Sequence, residues 1–157
     1  MTATGGRRNE RRRISLVKSF EGCRLTAYLC PAGVPTIGYG HTGPDVSASD
    51  VGQLTITQDQ ADQMLLEDLY VVEARLKRNL LIEPNANELG AMVSLAYNIG
   101  MGNLKSSTLL RLWNAGAEKA QVAGEFPRWK KAGGSVLPGL IARRAAERDL
   151  FLTPVED

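Results

Sequence analysis

Five residues near the start of the chain carry groups that can do chemistry: Glu21, Cys23, Cys30, Thr36 and the only histidine, His41. Glu21 is separated from Cys30 by eight residues, and Cys30 from Thr36 by five. A carboxylic acid set against apolar surface can stay protonated near neutral pH and donate to a leaving group. A thiol, with a reference pKa of about 8.5, can position or polarise a water and can ionise, although it is a poorer base for water than a carboxylate. The Thr36 hydroxyl can hold the same water. Two other readings use the thiols differently. Cys30 with His41 as its base would form the dyad of a cysteine peptidase, and Cys23, Cys30 and His41 could be zinc ligands. The Cys-x6-Cys-x10-His spacing is not a common zinc spacing and no fourth ligand is evident, so no metal is expected. The plainest reading makes both cysteines small buried apolar residues.

The elements around these residues suggest how they are positioned. Ile14, Leu16, Val17 and Phe20 form the apolar side of a short helix over about 12–20, with Gly22 as its stop. Glu21 then stands at a helix C-terminus, where dipole and burial both favour the protonated acid. Strands fit at 26–29 and 35–39, with a turn over Pro31-Ala32-Gly33. Such a hairpin would bring Cys30 and Thr36 to one side of a cleft facing Glu21.

Downstream the pattern is helical. Thr57 and Gln60 make a capping box, followed by Ala61, Met64, Leu65, Leu69, Val72 and Leu76 at helical spacing, out to about Asn79. Pro84 breaks the chain, and helices are predicted over about 87–98, 107–114, 117–129 and 140–151, separated by Gly116, Gly133-Gly134 and Pro138. Upstream, residues 1–13 read as a flexible basic tail containing Arg7, Arg8, Arg11, Arg12 and Arg13.

A chain of 157 residues with 43% apolar and 23% charged residues suits a globular protein of one domain, or one domain drawn into two lobes. A formal net charge of +2 is too small to argue for nucleic acid. No stretch approaches the ~18 apolar residues of a membrane span, and the first residues lack a signal-peptide core, so no export by the general secretory route is expected. Two cysteines allow at most one bridge.

Glu21-x8-Cys30-x5-Thr36, closing in Thr36-Ile37-Gly38-Tyr39-Gly40-His41, resembles the active site of the phage-type lysozymes, with Cys where the family usually has Asp. The resemblance covers about Ile14 to Phe151 and is most specific from Phe20 to Thr42. It implies an α+β fold, with an N-terminal helix and β lobe over 14–57, a connecting helix over 58–80 and a helical lobe over 81–157. It implies a muramidase endolysin acting as a monomer on peptidoglycan glycan strands, with no cofactor, metal or nucleic acid. Such an enzyme waits in the host cytoplasm until release and acts on the wall from the periplasm. Glu21 would be the general acid, and Cys30 and Thr36 would position the attacking water. His41 and Asp68 would form an ion pair across the lobe junction. Asn98, in Tyr97-Asn98-Ile99-Gly100, and Trp129 would face the substrate, and Arg143 or Arg144 would orient Glu21. A family subgroup with Cys at this position is held inactive by a disulfide, which points to a Cys23–Cys30 bridge closing an eight-residue loop, worth about 2.5 kcal/mol in the loop-entropy model. A lytic transglycosylase, which needs one acid and no second carboxylate, and a catalytically dead wall-binding module remain alternatives.

Overall fold

The computed structural model describes residues 3–155, which divide into two compact units: Lys18–Val71, and the described residues before and after that segment. The division falls inside two helices, α1 (Ala3–Glu21) and α2 (Gln58–Lys77), rather than at a linker.

In the first unit, β1 (Arg24–Leu29) and β2 (Pro35–Gly38) form an antiparallel hairpin, pairing Arg24 with Gly38, Tyr28 with Thr36 and Leu29 with Pro35. The loop is Pro31-Ala32-Gly33. The Gly33 amide donates to the Cys30 carbonyl at 2.8 Å, and Gly33, at φ +78°, supplies the left-handed residue that such three-residue loops need. The register shifts between Arg24 and Tyr28, where β1 pairs instead with the following loop: Ala27 N–H donates to Leu54 at 2.9 Å and Ile56 N–H to Leu25 at 2.8 Å. Ala27, Ile37, Val46, Ile56 and Ala61 form the core beneath, with Cys23, Tyr39, Leu54 and Met64 packed on it. The capping box expected at the start of α2 is present, with Gln60 N–H on Thr57 Oγ1 at 3.1 Å and Thr57 N–H on Gln60 Oε1 at 2.8 Å.

The second unit is helical. Its centre is α3 (Ala86–Ile99), capped by Asn85 and Glu88 reciprocally at 2.8 Å and buried continuously from Leu89 to Ala96. Around it lie α4 (Met101–Lys105), α5 (Thr108–Asn114), α6 (Lys119–Ala123) and α7 (Pro138–Leu152). Phe126, Phe151 and Trp113 make the aromatic packing, with ring centroids 5.5 and 5.9 Å from Phe151.

Three sequence expectations are corrected. The stretch read as a flexible tail is helical from Ala3, and Met1 and Thr2 lie outside the described residues. Its arginines offered no apolar stripe, but Asn9 and Arg13 are buried, Arg13 pairs with Glu73 at 2.6 Å, and Arg13 packs so closely on Gly90 that a Cβ there would lie 2.8 Å from its own Cβ. The helix expected over 117–129 is α6 followed by a 3-10 turn over Phe126–Arg128, because Pro127 cannot donate to a continuing helix. Gly133-Gly134, read as a spacer, is the tip of a small hairpin of β3 (Lys131–Ala132) and β4 (Ser135–Val136).

Candidate active site

Glu21 is the last residue of α1 and is half-buried. Gly22 follows at φ +68°, the left-handed residue that ends many helices, and it turns the chain directly into β1. The acid is thus fixed where two regular elements meet.

At the far end of β1 the hairpin gathers Cys30 and Thr36. Cys30 is still in register beyond the strand, its N–H donating to the Val34 carbonyl at 3.0 Å. The Val34 amide is the main influence holding the Cys30 thiol below its ordinary pKa. Burial works against it, and the Ala32 amide, the Thr36 hydroxyl and the Gly33 amide reinforce it. These neighbours on the turn together favour the thiolate over the thiol. Thr36 is buried, and its Oγ1 donates to the Val34 carbonyl at 2.8 Å. Cys30 and Thr36 are brought together as the spacing suggested.

His41 Nδ1 lies 2.8 Å from Asp68 on α2, and Nε2 lies 2.9 and 3.0 Å from the Asp45 oxygens. The pair with Asp68 stands within one unit, Lys18–Val71, and not across a junction between lobes. Asp45 was missed in the sequence reading, although its spacing four residues after the histidine was a usable signal. Burial opposes the charged ring, but its hydrogen bonds to Asp45 and Asp68 outweigh that and raise the His41 pKa. A raised folded pKa means that the stabilisation is complete below the unfolded value of about 6.5 and is lost as pH rises through the folded value. His41→Gln should therefore lower the melting temperature more at pH 5.5 than at pH 9. Equal losses at both would show that the ring's charge contributes nothing.

Both cysteines are free thiols. Cys23 Sγ lies 3.9 Å from Gln58 Oε1 at the start of β1, and Cys30 follows its end. Six extended residues between them put their Cα atoms on the order of 20 Å apart, against the 7 Å or so that a bridge tolerates. The expected Cys23–Cys30 bridge is absent here because the intervening residues are a paired strand rather than a loop.

The remaining site candidates lie in the helical unit. Asn98 is exposed near the end of α3, and Trp129 is half-buried just after the 3-10 turn. Arg143 and Arg144, one of which the resemblance assigned to orienting Glu21, share a partner within their own unit. Arg144 Nε lies 2.7 Å from Glu147 Oε1, and Arg143 Nε donates to Glu147 Oε2 at 3.2 Å. Ser94 Oγ donates to the same oxygen at 2.5 Å, and Arg143 reaches the Ser94 carbonyl at 3.1 Å. All four side chains are buried. Among the described residues no cluster of His, Cys, Asp or Glu could hold a metal ion, and no helix is long and apolar enough to cross a membrane.

Residues 18–147 match the family described as phage lysozyme. The chain is 46% identical over 143 residues to an endolysin of Bacillus phage PZA, covering 88% of this chain and 52% of that protein, so it spans about half that relative's length. Among solved structures, the muramidase domain of SpmX from Asticaccaulis excentricus superposes with a TM-score of 0.80 at 35% identity, covering 92% of this chain and 97% of that one. A mutant P22 lysozyme superposes with a TM-score of 0.76 at 38% identity, covering 98% of each chain. With an acid closing the first helix, a thiol and threonine joined by one hairpin, and an α+β architecture shared with these proteins, the chain belongs to the phage lysozyme family.

Proposed function

We propose that this protein is a muramidase of the endolysin type, hydrolysing the β-1,4 bond between N-acetylmuramic acid and N-acetylglucosamine in bacterial peptidoglycan. The observation that carries the reading is the union of Cys30 and Thr36 at the β1–β2 loop, in a unit whose first residues place Glu21 at the end of α1. Glu21 donates its proton to the glycosidic oxygen as the bond to the anomeric carbon breaks. A water held by Cys30 and Thr36 attacks that carbon from the other face and gives its proton to the Cys30 thiolate. Solvent then carries the proton from Cys30 back to Glu21. The turn amides that lower the Cys30 pKa support the thiolate this step needs. Asn98 and Trp129 bind the sugars, and the cell wall is the site of action.

The thiol also gives weight to a lytic transglycosylase, which needs no second carboxylate. Digestion of purified peptidoglycan, read by mass spectrometry, separates the two: hydrolysis leaves reducing muramic ends, and transglycosylation leaves 1,6-anhydromuramic ends, lighter by one water. Cys30→Asp should remain active, since a carboxylate is the better base, and Cys30→Ala should lose about 100-fold or more while folding normally. A harmless Cys30→Ala would remove the water-positioning role and favour the transglycosylase.

Redox control through a Cys23–Cys30 bridge belongs to the same reading in one form only. Because β1 holds the sulfurs apart, the oxidised protein must give up the pairing of β1, which separates Cys30 from Thr36 and releases the segment after Glu21. Oxidation would then inactivate by dismantling the hairpin as well as by consuming the thiol.

A further inference from the structure

Arg24 and Tyr28 lie on the same strand as the residues just described and are used by none of the chemistry assigned so far. Tyr28 is directly opposite Thr36 in the ladder, and residues directly opposite in an antiparallel pair send their side chains to the same face. Cys30, two residues further along and still in register with Val34 at 3.0 Å, returns to that face as well. The Arg24 guanidinium carbon stands 4.1 Å from the Tyr28 ring centroid. That distance is well inside the range of a cation–π contact, and the flat guanidinium suits stacking. Arg24 is exposed, and among the described residues no carboxylate is paired with it. The result is a fixed cation with its N–H donors open to solvent, on the face that carries the proposed water-positioning pair.

The substrate class has the matching charge. Glycan strands of peptidoglycan carry a peptide stem on each muramic residue, and the stems bear free carboxylates close to the bond being cut. We propose that Arg24, held on the Tyr28 ring on the strand face that carries Cys30 and Thr36, receives a stem carboxylate of the strand and so selects peptide-bearing muramic residues at the cleavage position. The inference rests on the muramidase reading and adds a specificity determinant to it. A guanidinium–carboxylate contact is planar and two-pronged, which a lysine reproduces only as a point charge. Tyr28 acts as a positioning residue, limiting the rotamers the long Arg24 side chain would otherwise explore.

The experiment compares wild type, Arg24→Gln and Arg24→Lys on two preparations of the same purified peptidoglycan, one untreated and one with its stem carboxylates coupled to ethanolamine. Arg24→Gln should lower kcat/KM about ten-fold on the untreated wall, chiefly through KM, as expected for loss of a charge-assisted contact. On the capped wall it should match wild type, and Arg24→Lys should retain part of the preference for the untreated wall. An equal loss on both preparations would mean that Arg24 acts through the fold, and no loss on either would mean that it touches no substrate; each overturns the proposal. If wild type releases no muramic fragments from either wall, the muramidase reading falls and this inference with it. Cleavage of both walls by wild type, without discrimination by the variants, removes the inference alone.

Discussion

Glu21→Gln should fold like the wild type and lose between about 100- and 10,000-fold in turnover on peptidoglycan, the share of catalysis a positioned general acid supplies. Glutamine keeps the size and much of the hydrogen bonding of the side chain, and the position tolerates an uncharged group because it is only half-buried at the end of α1. What it cannot do is hand a proton to the leaving sugar oxygen. Without that transfer an alkoxide must depart unaided. A folded variant retaining more than roughly a tenth of wild-type turnover would be incompatible with general-acid catalysis of this size and would move the acid elsewhere. Glu21→Asp discriminates further, because it keeps the acid and shortens its reach; losing nearly as much as Glu21→Gln would show that the geometry at the helix end matters as well as the proton.

The parts of this site that could be read from the sequence are the local ones. The β1–β2 hairpin announced itself because Pro31, Ala32 and Gly33 are loop residues between two short β-type runs, and the loop sets the register that joins Cys30 to Thr36. The start of α2 was equally plain, since Thr57 and Gln60 satisfy each other's turn within four residues. Long-range contacts left no such trace. Nothing about Arg13 shows that Glu73, sixty residues away, will hold it in a helix, so an arginine-rich stretch read as tail. The two-residue strands around Gly133-Gly134 are too short to show any period. For the cysteines, sequence distance misled in the opposite direction. Seven positions along the chain suggest proximity, yet an extended strand turns those positions into separation.

The largest expected effect on stability lies in the helical unit, at Glu147. Its carboxylate lies between two buried guanidiniums, with Arg144 at 2.7 Å, Arg143 at 3.2 Å and the Ser94 hydroxyl at 2.5 Å. Burial pushes the carboxyl pKa up, while Arg144, Ser94 and Arg143 pull against that push. The spacing of Arg143 and Arg144 four and three residues before Glu147 on one helix was a legible signal for part of this cluster; Ser94 on α3 was not. Glu147→Ala removes the carboxylate that both guanidiniums share in the unit's interior, and breaking a buried ion pair by removing one partner costs about 3–5 kcal/mol. In a chain of this size that corresponds to a fall in melting temperature of roughly 10 °C. The companion variant separates charge from cavity. Arg143→Met, Arg144→Met and Glu147→Leu made together remove all three charges and keep most of the volume, so the triple variant should be more stable than Glu147→Ala alone despite carrying more changes. Urea unfolding of both proteins, with matching m-values as the check on two-state behaviour, measures the difference. If Glu147→Ala costs less than about 1 kcal/mol, the guanidiniums have found water or other partners and the cluster is not what holds α7 to α3. If instead the triple variant is the less stable, the network contributes net stability through its hydrogen bonds, and Ser94, stripped of its partners, becomes the next position to replace.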